Sequence, residues 1–145
     1  MGPPLSNIEQ VRRAKARYCR FLDTKAWDHF ADLLEPAVQV QMFDPSGRLI
    51  VEHRDRDSFV RSAREGLEGG QSIHQIHNDE IDETSESEII AIWSMEDLII
   101  FREGSKGPAR MHGYGHYHEQ WRLGAQGWRI ARLELRRTIQ DFTAG

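Results

Sequence analysis

Apolar residues recur near the start of the chain at intervals of three and four. Ile8, Val11, Lys15, Tyr18 and Leu22, with Phe21 beside them, trace one stripe that is apolar apart from its lysine, the spacing of an amphipathic helix. Just ahead of it, Ser6-Asn7-Ile8-Glu9 reads as a capping box, in which the serine accepts from the helix backbone and the glutamate reaches back. The pattern predicts a helix from there to about Asp23. Residues 1–5 carry no periodicity and are expected to be flexible. Asp23-Thr24 offers a cap for a second, short helix through Trp27, Phe30, Ala31 and Leu34, closed by Pro36.

The period then changes from near four to two. Val38 to Phe43 alternates up to the turn sequence Asp44-Pro45-Ser46-Gly47, and Leu49 to Val51 resumes, which predicts a small hairpin. A third helix is expected from Asp57, with Phe59, Val60, Ala63 and Leu67 on one side and Gly66, Gly69 and Gly70 ending it. Beyond Gly70 the chain reads as strands through 72–82, 88–102, 110–123 and 128–138. They are separated by short turns that make neighbours antiparallel. Helices first and a meander afterwards indicate an α+β domain, one unit spanning 1–145, rather than alternating βαβ.

Parity sorts the strand residues into faces. Ala91, Trp93, Met95, Asp97, Ile99 and Phe101 share one side, while Ile90, Ile92, Leu98 and Ile100 give the other an apolar row of its own. Asp97 therefore stands among large apolar neighbours, where an unpartnered carboxylate is costly. Tyr117 and Trp121 are placed inward, on the parity of Gly113 and Gly115; His112, Tyr114, His116 and His118 lie opposite. Leu133, Leu135 and Arg137 share a face, so Arg137 either reaches the mouth of an inner cavity or forms a surface ion pair, the commoner fate of an arginine.

Composition narrows the function. With 19 Lys and Arg against 23 Asp and Glu, both signs scattered, no basic stripe marks a nucleic-acid or membrane partner. No apolar run approaches the ~20 residues that span a bilayer. The single cysteine, Cys19, excludes an internal disulfide, and without a leader pattern the cytoplasm is the expected location. A chain of 145 residues buries roughly 68–70% of its extended surface, enough for a core that needs no metal or disulfide.

Three segments carry a resemblance: Ala16-Arg17-Tyr18-Cys19-Arg20-Phe21-Leu22-Asp23, Ile73-His74-Gln75-Ile76-His77-Asn78, and Gly113-Tyr114-Gly115-His116-Tyr117-His118, in that order, followed by Gly127-Trp128-Arg129-Ile130. Together they make the chain resemble the SnoaL-like, nuclear transport factor 2-like superfamily over almost its whole length. In site pattern it is most similar to bile-acid dehydratases, and more distantly to scytalone dehydratase and hexachlorocyclohexane dehydrochlorinase. The resemblance implies a cone-shaped α+β barrel and a lyase without cofactor. It also implies a pocket with a histidine base, an acid and a tyrosine, matched by His74, Asp23 and Tyr18, with Asp97 as a second acid.

The chemistry agrees with that reading. Taking a proton from carbon beside a carbonyl needs a base near neutral pKa, and unperturbed histidine sits at ~6.5. Asp23 or Asp97 would fix the imidazole tautomer, and Tyr18 would donate to an enolate-like oxygen. Each residue also has a plainer explanation: His74 as a buried histidine satisfied by backbone, Tyr18 as a core aromatic, Asp23 as a helix cap, Asp97 as a partner for Arg137. Trp93, Met95, Tyr117, Asn78 and Arg137 are the expected substrate contacts, Asn78 alternatively ending a strand pairing, and His77 is expected to face away.

The expected activity is a dehydratase-like lyase or isomerase acting on a small hydrophobic, cyclic carbonyl compound. The competing class is a non-catalytic ligand-binding or dimeric module of the same fold. A metal role for His112, His116 and His118 lacks an acidic ligand at suitable spacing, so no metal is assigned. The apolar outer row of the sheet points to a homodimer.

Overall fold

The computed structural model describes residues 2–144. Met1 and Gly145, at the ends of the expected 1–145 unit, lie outside the described residues. Among the described residues, three helices and six strands follow in the order α1 (Asn7–Asp23), α2 (Trp27–Ala31), β1 (Leu34–Phe43), β2 (Leu49–His53), α3 (Arg56–Leu67), β3 (Gln71–Ser85), β4 (Glu88–Ile100), β5 (Arg110–Gly124) and β6 (Gly127–Thr143). The strands form one curled sheet in the order β2-β1-β6-β5-β4-β3. Every pairing is antiparallel except β1 with β6, which run parallel.

The first helix forms as its pattern demands. Ser6 accepts from the Glu9 N–H at 3.2 Å and Glu9 accepts from the Ser6 N–H at 3.4 Å, closing the capping box. Its stripe packs Val11, Lys15, Tyr18 and Leu22 inward, against the concave face of the sheet. That face supplies Ile89, Ala91, Trp93, Tyr117, Trp121, Leu133 and Leu135, all essentially buried.

Four expectations are corrected. The second helix ends at Ala31, and Leu34 opens a strand paired to Ile130. Its N-cap is Ala26, whose methyl offers no side-chain bond, and the expected cap, Asp23, turns its carboxylate to β3. Pro36 closes no helix: it lies in the irregular stretch of β1 between Leu34 and Gln39, where a residue without an N–H forfeits no ladder bond. The third helix starts at Arg56, capped by Asp55, whose carboxylate accepts from the Ser58 N–H at 2.8 Å, and it runs through Gly66.

Two irregularities shape the inner surface. A bulge in β3 between Ile76 and Asp79 reverses the alternation, so His74 and Ile76 face the core while His77 and Asn78 are exposed. On β5, Gly115 sits where the backbone of β6 comes closest: an added Cβ would strike the Arg136 carbonyl and the Arg137 Cα. No described helix is long and apolar enough to cross a membrane.

Candidate active site

Tyr18 and Leu22, one turn apart on α1, project toward the space between helix and sheet, and Asp23 ends the same turn. Across from it, the Asp23 carboxylate accepts three hydrogen bonds: the His74 ring Nδ1 at 2.7 Å, the His74 backbone N–H at 2.9 Å and the Ser72 hydroxyl at 2.9 Å. A carboxylate only accepts, so Nδ1 carries a proton, and in the neutral ring Nε2 keeps its lone pair. Asp23 thus selects the tautomer and holds the ring in place.

The second acid stands in the adjacent strand. His74 and Asp97 are direct cross-strand partners, and His74 Nε2 lies 3.7 Å from Asp97 Oδ2, too long for a hydrogen bond but close enough to attract an imidazolium. Asp97 is held from its other side by a two-pronged ion pair with Arg137, at 2.8 and 2.9 Å. The pair spans β5, because Asp97 opposes Gly113 and Arg137 opposes Gly115. A Cβ on Gly113 would overlap the guanidinium and come within 2.7 Å of Asp97 Oδ1. The two glycines of the Gly113-Tyr114-Gly115 segment therefore have distinct physical roles: one admits the ion pair, the other the neighbouring strand. Burial draws the Arg137 pKa down, but the hydrogen bonds and charge of Asp97 outweigh it and hold the guanidinium above its usual value.

Asp23 stands behind His74, and Tyr18, Leu22, His74, Asp97 and Arg137 line a cavity of about 200 Å³. Its walls are largely apolar, built from Leu22, Met42, Phe59, Leu67, Ile99 and Leu135. Tyr18 and Tyr117 contribute two buried phenols, their rings 6.0 Å apart and edge to face. Burial raises both well above the ordinary phenol range, aided at Tyr18 by the charge of Glu119 and at Tyr117 by Tyr18. Both therefore stay protonated and able to donate near neutrality.

A SnoaL-like domain model matches residues 3–134. The chain belongs to the SnoaL-like family. Among its relatives, a Gibberella zeae protein named "Probable cyclase FGR4" is 29% identical over 136 residues, 88% of each chain. Among solved structures, a Novosphingobium aromaticivorans protein titled "Putative Scytalone Dehydratase" superposes with a TM-score of 0.77 at 22% identity, over 92% of this chain and 85% of that one. The type-3 hexachlorocyclohexane dehydrochlorinase of Novosphingobium barchaimii gives a TM-score of 0.74 at 13% identity, over 94% and 90%. At such identities the structural likeness shows the SnoaL-like fold.

Within this SnoaL-like chain, His74, Asp23, Tyr18, Asp97, Tyr117 and Arg137 come together at the cavity. Asn78 does not, because the β3 bulge turns it to solvent. Trp93 and Met95 are buried deeper in the core and are absent from the cavity wall; the Trp93 indole N–H is committed to Glu119 at 2.7 Å. On the outer face, the ring Nε2 atoms of His77 and His112 sit 3.2 and 3.1 Å from the two oxygens of Glu96. Among the described residues no three His, Cys, Asp or Glu side chains converge as a metal set.

Sequence reasoning missed two groups. His53, at the end of β2, lines the cavity with its Nδ1 2.5 Å from the Ser58 hydroxyl; its parity with Val51, another lining residue, was the available signal. Lys15 and Glu119 form a fully buried ion pair at 2.5 Å. Glu119 shares the inward parity of Tyr117 and Trp121, and Lys15 lies on the apolar stripe of α1, so both were detectable.

Proposed function

We propose that the protein is a cofactor-free lyase or isomerase, dehydratase-like in its chemistry, acting on a small hydrophobic and cyclic carbonyl compound. The observation that carries this reading is the Asp23–His74 pair, with Nδ1 bound to Asp23 at 2.7 Å on the wall of a mostly apolar cavity. An imidazole so fixed presents its second ring nitrogen as a general base. The family likeness to proteins named as a cyclase, a scytalone dehydratase and a dehydrochlorinase supports the same class.

In a β-hydroxy carbonyl substrate, His74 Nε2 removes the proton from the carbon beside the carbonyl. Negative charge grows on the carbonyl oxygen, where Tyr18 donates a hydrogen bond and Tyr117 bounds the site. The imidazolium is stabilised by Asp23 and, at 3.7 Å, by Asp97, whose own position Arg137 maintains. The electron pair then forms the double bond as hydroxide leaves the next carbon. It takes up the proton held by His74, so the products are the conjugated alkene and one water.

The test is turnover of a panel of β-hydroxy carbonyl compounds, from single rings to steroid thioesters, followed by formation of the conjugated alkene. His74→Ala, still folded, is expected to lose on the order of 10²–10⁴ in rate. Retained turnover in that variant overturns the base assignment. If no compound reacts while several raise the melting temperature of both proteins equally, the cavity is a binding site and the domain a non-catalytic module.

A further inference from the structure

Directly behind the cavity floor lies a charged group that the proposed reaction does not use. Lys15 is fully buried, its Nζ 2.5 Å from Glu119 Oε2. The other carboxylate oxygen of Glu119 accepts from the indole N–H groups of Trp93 and Trp121, at 2.7 and 2.9 Å. On its remaining side the ammonium rests against two aromatic rings, 3.7 Å from the centroid of Tyr18 and 3.6 Å from that of Tyr117. Both of those tyrosines line the cavity.

Such a pair has little reason to exist for stability alone, because apolar residues of similar volume in its place are often neutral or stabilising. Its orientation does have a consequence. The positive end faces the two phenols and the negative end faces away, toward the tryptophans, so the floor carries a fixed dipole whose positive pole is nearest the cavity. An ammonium against a ring face is attracted by the ring's quadrupole; touching two rings at once, it holds both.

We propose that Lys15, anchored by Glu119, is a positioning residue that orients Tyr18 and Tyr117 as a pair of hydroxyl donors and biases the cavity floor toward an oxyanion over the neutral form of the same ligand. The inference rests on the reading of this cavity as the site where a carbonyl oxygen gains negative charge. It reaches a different residue and is tested by equilibrium binding rather than turnover.

The probe is 4-nitrophenol, bound to the full chain across a pH series. The phenolate's visible absorption reports how much of the bound probe is ionised. Lys15→Met/Glu119→Gln removes both charges while keeping an acceptor for the two indoles, and Lys15→Leu/Glu119→Gln guards against a folding failure of the first. The wild type is expected to prefer the phenolate over the phenol, and the folded neutral variants to lose on the order of tenfold of that preference while binding the neutral probe as before. The same preference in wild type and variants overturns the proposal. So does an equal loss for both forms of the probe, which marks a purely structural role, or a wild type that takes up no phenolate. A change of preference with no turnover of any substrate leaves this inference standing and removes the lyase reading. His74-dependent turnover with an unchanged preference does the reverse.

Discussion

Two cation–carboxylate pairs stand on the inner face of one sheet, and they differ in what lies beyond them. Arg137 and Asp97 form part of the cavity wall, with 8% and 2% of their side chains exposed. Lys15 and Glu119 are sealed, with none. In the wall, one carboxylate serves a guanidinium on one side and faces an imidazole on the other, so its charge remains available to whatever enters. In the sealed pair, the polar contacts of Glu119 are to a lysine and two indoles, and only the aromatic rings lie between Lys15 and the cavity. The same chemical pairing thus acts directly at the wall and only through the tyrosines at the floor.

The sharpest way to break that comparison is to remove one cation from each pair. Lys15→Met leaves a carboxylate buried without its partner and is expected to cost about 3–5 kcal/mol, visible in denaturant unfolding, with Lys15→Met/Glu119→Gln recovering most of it. Arg137→Met should fall at the lower end of that range, about 3 kcal/mol, because Asp97 borders the cavity instead of being enclosed on every side. Equal losses would show that the wall pair is as sealed as the floor pair.

Gly113→Ala tests the wall alone. The added methyl overlaps the Arg137 guanidinium and crowds Asp97, so a loss of about 1–3 kcal/mol is expected, and a smaller one, left by Asp97 alone, when Arg137→Ala is already present. Additive losses would mean that the glycine serves the backbone rather than the ion pair.

The smallest effect probes the seal around the floor. Cys19, one residue beyond Tyr18, has its thiol pushed by burial from 9.0 up to about 11. A folded-state value above the unfolded one favours the folded state fully below pH 9, and that contribution is lost as pH rises toward 11. At pH 8 a thiol reagent should attack the native protein at least about a hundredfold more slowly than the unfolded chain. Cys19→Ala should flatten the alkaline fall in melting temperature. Fast modification of the native chain would show that the floor opens.

Much of the fold was legible because it rests on periodicity. The capping box, the stripe of α1 and the alternation of β4 and β5 each express a local rule, and Asp97, Tyr117 and Trp121 fall on the inner face that parity assigns them. Local rules failed where a longer-range pairing won. Leu34 and Pro36 fit a helix until β6 recruits that segment as a parallel strand. Asn78 shared the parity of His74 until a bulge intervened. Asp23 looked equally suited to capping a helix and to orienting His74, and the position of β3 beside the end of α1 decided for the histidine.

The sequence by itself determined the class of fold, the inner and outer faces of the central strands and most of the polar side chains gathered at the cavity, since these depend on residue type and spacing. Only the tertiary structure decided their partnerships: which acid holds His74, that Arg137 reaches Asp97 across a bare glycine, that His53 arrives from the opposite edge of the sheet, and that Lys15 finds Glu119 104 residues away. The physical reason is that a hydrogen bond or ion pair depends on distances of a few ångströms between groups far apart in the chain. Those distances are set by strand register, bulges and curl, which no local pattern contains.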